Sequence, residues 1–97
     1  MPQTPYSYPA GGTQNKLNVS ASTVIKAAPG QVCTVVVTTA GSAAGSFHDC
    51  TTTGAAASTN ATLVVPNTVG NYLVPFRHSA GIVYVPGSGQ VISVSYE

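Results

Sequence analysis

Apolar and polar residues alternate over short stretches of this chain, and no window repeats at the three-to-four spacing of an amphipathic helix. Leu17, Val19 and Ala21 alternate with Asn18, Ser20 and Ser22, which predicts a half-buried strand beginning near Lys16. Thr23 to Lys26 continues as a second short strand or a bulged extension. Ala28-Pro29-Gly30-Gln31 has turn chemistry, with proline presetting the first φ and glycine supplying a left-handed position. Gln31 to Thr39, QVCTVVVTT, is the clearest strand because of its β-branched content. Strict alternation puts Cys33, Val35 and Val37 on its core face. Val32, Thr34, Val36 and Thr38 then share a second face that is only partly covered.

The rest of the chain keeps this rhythm. AGSAAGS (40–46) is a turn, and Phe47 to Cys50 a short returning strand. TTTGAAASTN (51–60) is a small-residue loop with room for one helical turn at Gly54–Ala57. Ala61 to Val65 is a strand that Pro66 ends, followed by a turn at 66–70. Asn71 to Arg77 is a strand in which Pro75 marks a sheet edge or a bulge. Ile82–Val85 and Gln90–Tyr96 flank Pro86-Gly87-Ser88-Gly89 and predict a β-hairpin. Seven or eight short strands at roughly ten-residue spacing indicate an all-β fold: an antiparallel β-sandwich, jelly-roll-like, or a small barrel.

Met1 to Gln14, MPQTPYSYPAGGTQ, lies outside that rhythm. Three prolines favour extended backbone, and Tyr6 and Tyr8 are of a type enriched at interfaces. The expected organisation is an extended N-terminal arm over 1–15 and one β-sandwich domain over 16–97. Pro5, Tyr6, Tyr8 and Pro9 are the candidate partner-binding residues of the arm. The start has neither the basic nor the apolar segment of a secretory signal, so a protein made and kept in the cytosol is expected.

Charge narrows the function. Among 97 residues only Lys16, Lys26, Asp49, Arg77 and Glu97 are charged at neutral pH, 5% of the chain, where about 25% is usual. With no Lys/Arg cluster to neutralise phosphates, nucleic-acid binding is not expected. The longest apolar runs, at Val35–Val37 and Leu63–Val65, are too short to span a bilayer. So weakly charged a surface has little repulsion to keep copies apart, which suits a permanent assembly. A homodimer or homotrimer that covers an edge strand is expected.

Candidate chemistry is sparse. His48-Asp49-Cys50, with Cys33 and His78 elsewhere, are the reactive side chains. A Cys–His pair can make an activated thiolate, and Cys33, His48, Cys50 and His78 can in principle bind zinc, but neither spacing is recognisable. The single Asp and single Glu leave paired-carboxylate chemistry implausible. No catalytic residue, metal site or cofactor is assigned, and no enzyme is expected. Cys33 and Cys50 read as buried thiols. Tyr72, Phe76 and Tyr84 suggest a sugar platform. The absence of Trp and the scarcity of Asp, Glu and Arg instead favour Phe76 and Tyr84 as core residues.

VCTVVVTTAGSAAGSFHDC, the VPNTVGNY turn and the closing GIVYVPGSGQVISVSYE make Leu17–Tyr96 resemble small virion structural proteins of tailed bacteriophages. The resemblance implies a capsid cement or decoration protein, non-enzymatic, located in a virion assembled in the host cytoplasm. Its implied partners are the major capsid protein or another virion protein, and its implied role is to bridge neighbouring capsomers as a dimer or trimer. A tail, connector or fibre-base subunit is the alternative within that group. A carbohydrate-binding or adhesin-like module is the alternative outside it.

Overall fold

The β-branched runs separated by Gly, Pro and Asn turns form eight strands. The structure is a computed structural model that describes residues 14–97. The strands are β1 (Gln14–Val19), β2 (Thr23–Lys26), β3 (Gly30–Thr39), β4 (Gly45–His48), β5 (Ala61–Val65), β6 (Gly70–His78), β7 (Ile82–Val85) and β8 (Val91–Tyr96). Single 3₁₀ turns at Thr53–Ala55 and Ser58–Asn60 are the helical elements among the described residues. β1 begins at Gln14, so Gln14 and Asn15 belong to the sandwich rather than to the arm. The remainder of the arm, with Pro5, Tyr6, Tyr8 and Pro9, lies outside the described residues.

Two antiparallel four-stranded sheets pack face to face, in the orders β1-β8-β3-β6 and β2-β7-β4-β5. Six of the seven connections cross from one sheet to the other, and only β4–β5 stays within a sheet. This interleaving is the jelly-roll arrangement. The expected β7–β8 hairpin does not form, because β7 and β8 lie in opposite sheets. Ile82 and Tyr84 on β7, and Ile92, Val94 and Tyr96 on β8, each need an apolar layer to face. Opposite sheets let those rows face each other, whereas a hairpin would leave both in one layer.

The core lies between the sheets. Val35, Val37, Phe47, Ile82, Tyr84 and Ile92 are fully buried there, with the Phe47 and Tyr84 rings 4.5 Å apart and tilted by 50°. Each such side chain contributes about 1.5–3 kcal/mol by leaving water.

Register shifts decide which residues face that core. Val32 pairs with Tyr96 and Thr34 with Ser95, so Cys33 is an extra residue on β3 relative to β8. Alternation slips there, and Val32, not Cys33, joins Val35 and Val37 in the core cluster. Cys33 is still buried. On β1, Lys16 pairs with Val94 and Val19 with Ile92, with Asn18 between them at φ 58°. Asparagine tolerates this left-handed conformation better than most residues. The slip turns Leu17 out to solvent while Val19 stays inside. On β6 the shift falls between Leu73 and Phe76, so Pro75 sits at a bulge and also on an edge strand.

Candidate functional site

The five reactive side chains do not assemble. Cys33 Sγ points to its own strand's Gln31 carbonyl at 3.8 Å, and Cys50 Sγ donates to the Thr52 carbonyl at 3.4 Å. Burial, and then the Glu97 charge, push the Cys33 thiol up from its ordinary value, away from thiolate character. No group of three or more His, Cys, Asp or Glu side chains converges among the described residues.

His48 works on the outer face of its sheet. Its Nδ1 faces two acceptors at 2.9 Å, the Ala57 carbonyl and Asn60 Oδ1. Both only accept, so Nδ1 carries the proton, and Nε2 accepts from Ser46 Oγ at 2.8 Å. Asn60 is fixed in turn, its Nδ2 donating to the Ala55 carbonyl and its Oδ1 accepting from Ala57 N–H. This Ser–His–Asn order matches the polarity of a nucleophilic triad. Ser46, however, sits mid-strand opposite Val64 and Val85, and its neighbours' amides are committed to the ladders with β5 and β7. The arrangement pins loop 51–60 over β4 and β7, and the outer-face Val83 is fully buried.

Asp49 accepts from Ala80 N–H at 2.8 Å, from Ser79 Oγ and N–H at 3.0 and 3.2 Å, and from Gly81 N–H at 3.3 Å. These bonds, the Ala80 one foremost, hold its carboxyl down at about 2. His78 is fully buried, donating from Nδ1 to the Phe76 carbonyl at 3.1 Å, with Nε2 2.8 Å from Thr62 Oγ1. Thr62 lies on β5, so this contact ties one sheet's edge to the other's. Burial pushes the imidazole below its ordinary value, opposed by the Phe76 hydrogen bond and the Asp49 charge.

The aromatic platform does not form either. Tyr84 is buried, its hydroxyl donating to Gln90 Oε1. Tyr72 donates to the Thr68 carbonyl at 2.9 Å. Phe76 is 40% exposed at the rim, edge-on to His78, and is therefore not the core residue that the pattern suggested.

One uncharged hollow opens outward, floored by small side chains and flanked by exposed leucines. On the outer face of the β1-β8-β3-β6 sheet, cross-strand register lines up Asn15, Ser95, Thr34 and Leu73 in one row and Ser93, Val36 and Asn71 in the next. Small side chains form the floor of a shallow trough. Leu17 and Leu73, 68% and 63% exposed, stand on the strands at its two sides. Ser93 Oγ accepts the Asn18 N–H at 3.2 Å and Ser95 Oγ the Thr34 N–H at 3.2 Å. Each hydroxyl thus satisfies an amide that a bulge removed from its ladder. A second apolar hollow runs between the β5 and β6 edges, lined by Leu63, Val64, Pro66, Tyr72 and Val74. No protein family, curated protein or solved structure matches the chain.

The sequence reading missed this trough because it placed Leu17 inward. It missed the Ser46–His48–Asn60 network because loop 51–60 folds back over β4, and the Tyr84–Gln90 network because the β7–β8 connection crosses between sheets. The one local signal was Asn18, a residue suited to positive φ in the middle of an alternating run.

Proposed function

We propose that this chain is a non-enzymatic virion structural protein, a cement or decoration subunit that binds the outer surface of a phage capsid and reinforces contacts between capsomers. The observation that carries this reading is the outer face of the β1-β8-β3-β6 sheet. Between Leu17 and Leu73 it carries no charge, sets two exposed leucines beside a floor of Ser, Thr and Val side chains, and its serine hydroxyls are engaged by the protein's own backbone. Such a surface makes broad, salt-insensitive contact with another protein. The eight-stranded jelly roll is compatible with virion proteins but also with lectins and cupins, so topology adds little by itself. The resemblance of Leu17–Tyr96 to virion proteins points the same way. The arm around Pro5, Tyr6, Tyr8 and Pro9 extends the contact, and self-association multiplies it.

Co-sedimentation with capsids lacking the protein tests this. Burying two leucines is worth about 3–5 kcal/mol, so Leu17→Lys with Leu73→Lys should weaken binding at least a hundredfold and leave the circular dichroism unchanged. Binding of the wild type should change little with salt. A wild-type protein that ignores capsids, or a double variant that binds as well, overturns the proposal.

A further inference from the structure

Each sheet has two edges, and three of the four carry features that discourage pairing. β1 has Lys16 and the left-handed Asn18. β2 is four residues long, has a register shift and ends in Lys26. β6 carries Pro75 at a bulge and Arg77. Short strands, bulges, proline and charge are the devices that protect edges. β5, Ala-Thr-Leu-Val-Val, has no charge and no proline, and its bulge is confined to Thr62 near one end. Val64, in its second half, is 74% exposed, the most exposed large apolar side chain among the described residues. Among the described residues its backbone faces a partner strand, β4, on one side only.

We propose that two copies of this chain pair their β5 strands antiparallel about a two-fold axis, joining two β2-β7-β4-β5 sheets into one eight-stranded sheet. The occupant follows from chemistry. None of the five charged residues lies on β4 or β5, so the edge gives a charged strand nothing to pair with. The 13 residues before β1 carry Pro2, Pro5 and Pro9, which cannot donate to a ladder, so they make a poor added strand. A second β5 supplies a full set of donors and acceptors and an apolar row without like-charge repulsion. It also roofs the hollow between Leu63, Tyr72 and Val74. An isologous pairing closes on itself, so this edge gives dimers and not trimers. The proposal rests on the reading that the chain self-associates, and not on what the assembled copies bind.

Sedimentation velocity on the purified chain, apart from any capsid, tests it, so a negative result here leaves capsid binding to its own assay. The wild type should be a concentration-dependent dimer, and Val64→Lys should self-associate about tenfold more weakly, since it replaces an apolar cross-strand pair with like charges across the two-fold axis. Val69→Lys, an equally apolar exposed site in the β5–β6 connection, should still dimerise. Hydrogen exchange gives a second readout without mutation. Edge amides within 62–65 should exchange about tenfold more slowly in the dimer than in dilute monomer. A wild type that stays monomeric at high micromolar concentration, a trimer, a Val64→Lys dimer of undiminished affinity, or β5 amides indifferent to concentration would each overturn the proposal.

Discussion

Replacing Gln90 with leucine should be among the most damaging single changes outside the apolar core. The amide is fully buried at the mouth of β8 and ties β7 to the β7–β8 and β5–β6 connections. Its Oε1 accepts from the Tyr84 hydroxyl and from Gly87 N–H at 3.1 Å, and its Nε2 donates to the Pro66 carbonyl at 3.0 Å. The site is closed tightly: a Cβ on Gly45 would collide with both the Tyr84 hydroxyl and Gln90 Oε1, so water has no room to take over. Leucine fits the volume but leaves the Tyr84 hydroxyl buried without a partner, at a cost of about 1–3 kcal/mol. Gly87 N–H and the Pro66 carbonyl lie nearer the surface and lose about 0.5–1 kcal/mol each. The sum is about 3 kcal/mol, or about 12–24 °C in Tm for a domain of this size. Tyr84→Phe, which removes one bond and leaves Gln90 its other two, should cost only about 1 kcal/mol. Urea denaturation of the two single variants and the double variant measures both costs and their coupling. A Gln90→Leu protein within 1 kcal/mol of wild type, or additive effects in the double variant, would refute this account of how the connections are held.

Three further outcomes are expected. Asp49 has its folded pKa depressed to about 2, so its contribution is present above about pH 4 and is lost as pH falls toward 2. Asp49→Asn should cost about 1 kcal/mol at neutral pH, after discounting for solvent screening, and should flatten the acid limb of a urea-midpoint profile. His78 has its folded pKa lowered, so the unfolded chain takes up the proton first and stability declines as pH falls below about 6.5. His78→Gln should remove that slope, and a midpoint unchanged between pH 7 and pH 5 in the wild type would contradict the burial. Cys33, buried and raised in pKa, should react with a thiol reagent only at the rate of unfolding, so labelling as fast as in a peptide would contradict its placement.

The strands were largely legible, since Ala61–Val65 and Ile82–Val85 match the observed β5 and β7. Local composition marks a strand and its turn well. Which face is buried depends on an unbroken count of two, and a single extra residue reverses it. That is why Leu17 was placed inside and Cys33 beside Val35, when Asn18 and the Cys33 bulge moved both. The pairing of β7 was illegible for another reason. Pro86-Gly87-Ser88-Gly89 suits a hairpin locally, and only the need of two apolar rows to face each other sends the next strand to the opposite sheet. The apolar trough inherits the first failure and the Gln90 network the second.

The pairing of β1 with β8 also sets how the domain meets force. Gln14 lies opposite Tyr96, so the chain upstream of Gln14 and the residue Glu97 leave the sandwich at the same end. Tension applied between these two points opens the β1–β8 ladder like a zipper, loading the Gln14–Tyr96 pair first and each later pair only after its neighbour has failed. Tension between the upstream segment and a distant strand such as β5 can instead act along β1 and strain several pairs at once, so rupture requires them to fail together. A domain gripped upstream of Gln14 and at β5 would therefore resist pulling better than one gripped upstream of Gln14 and at Glu97.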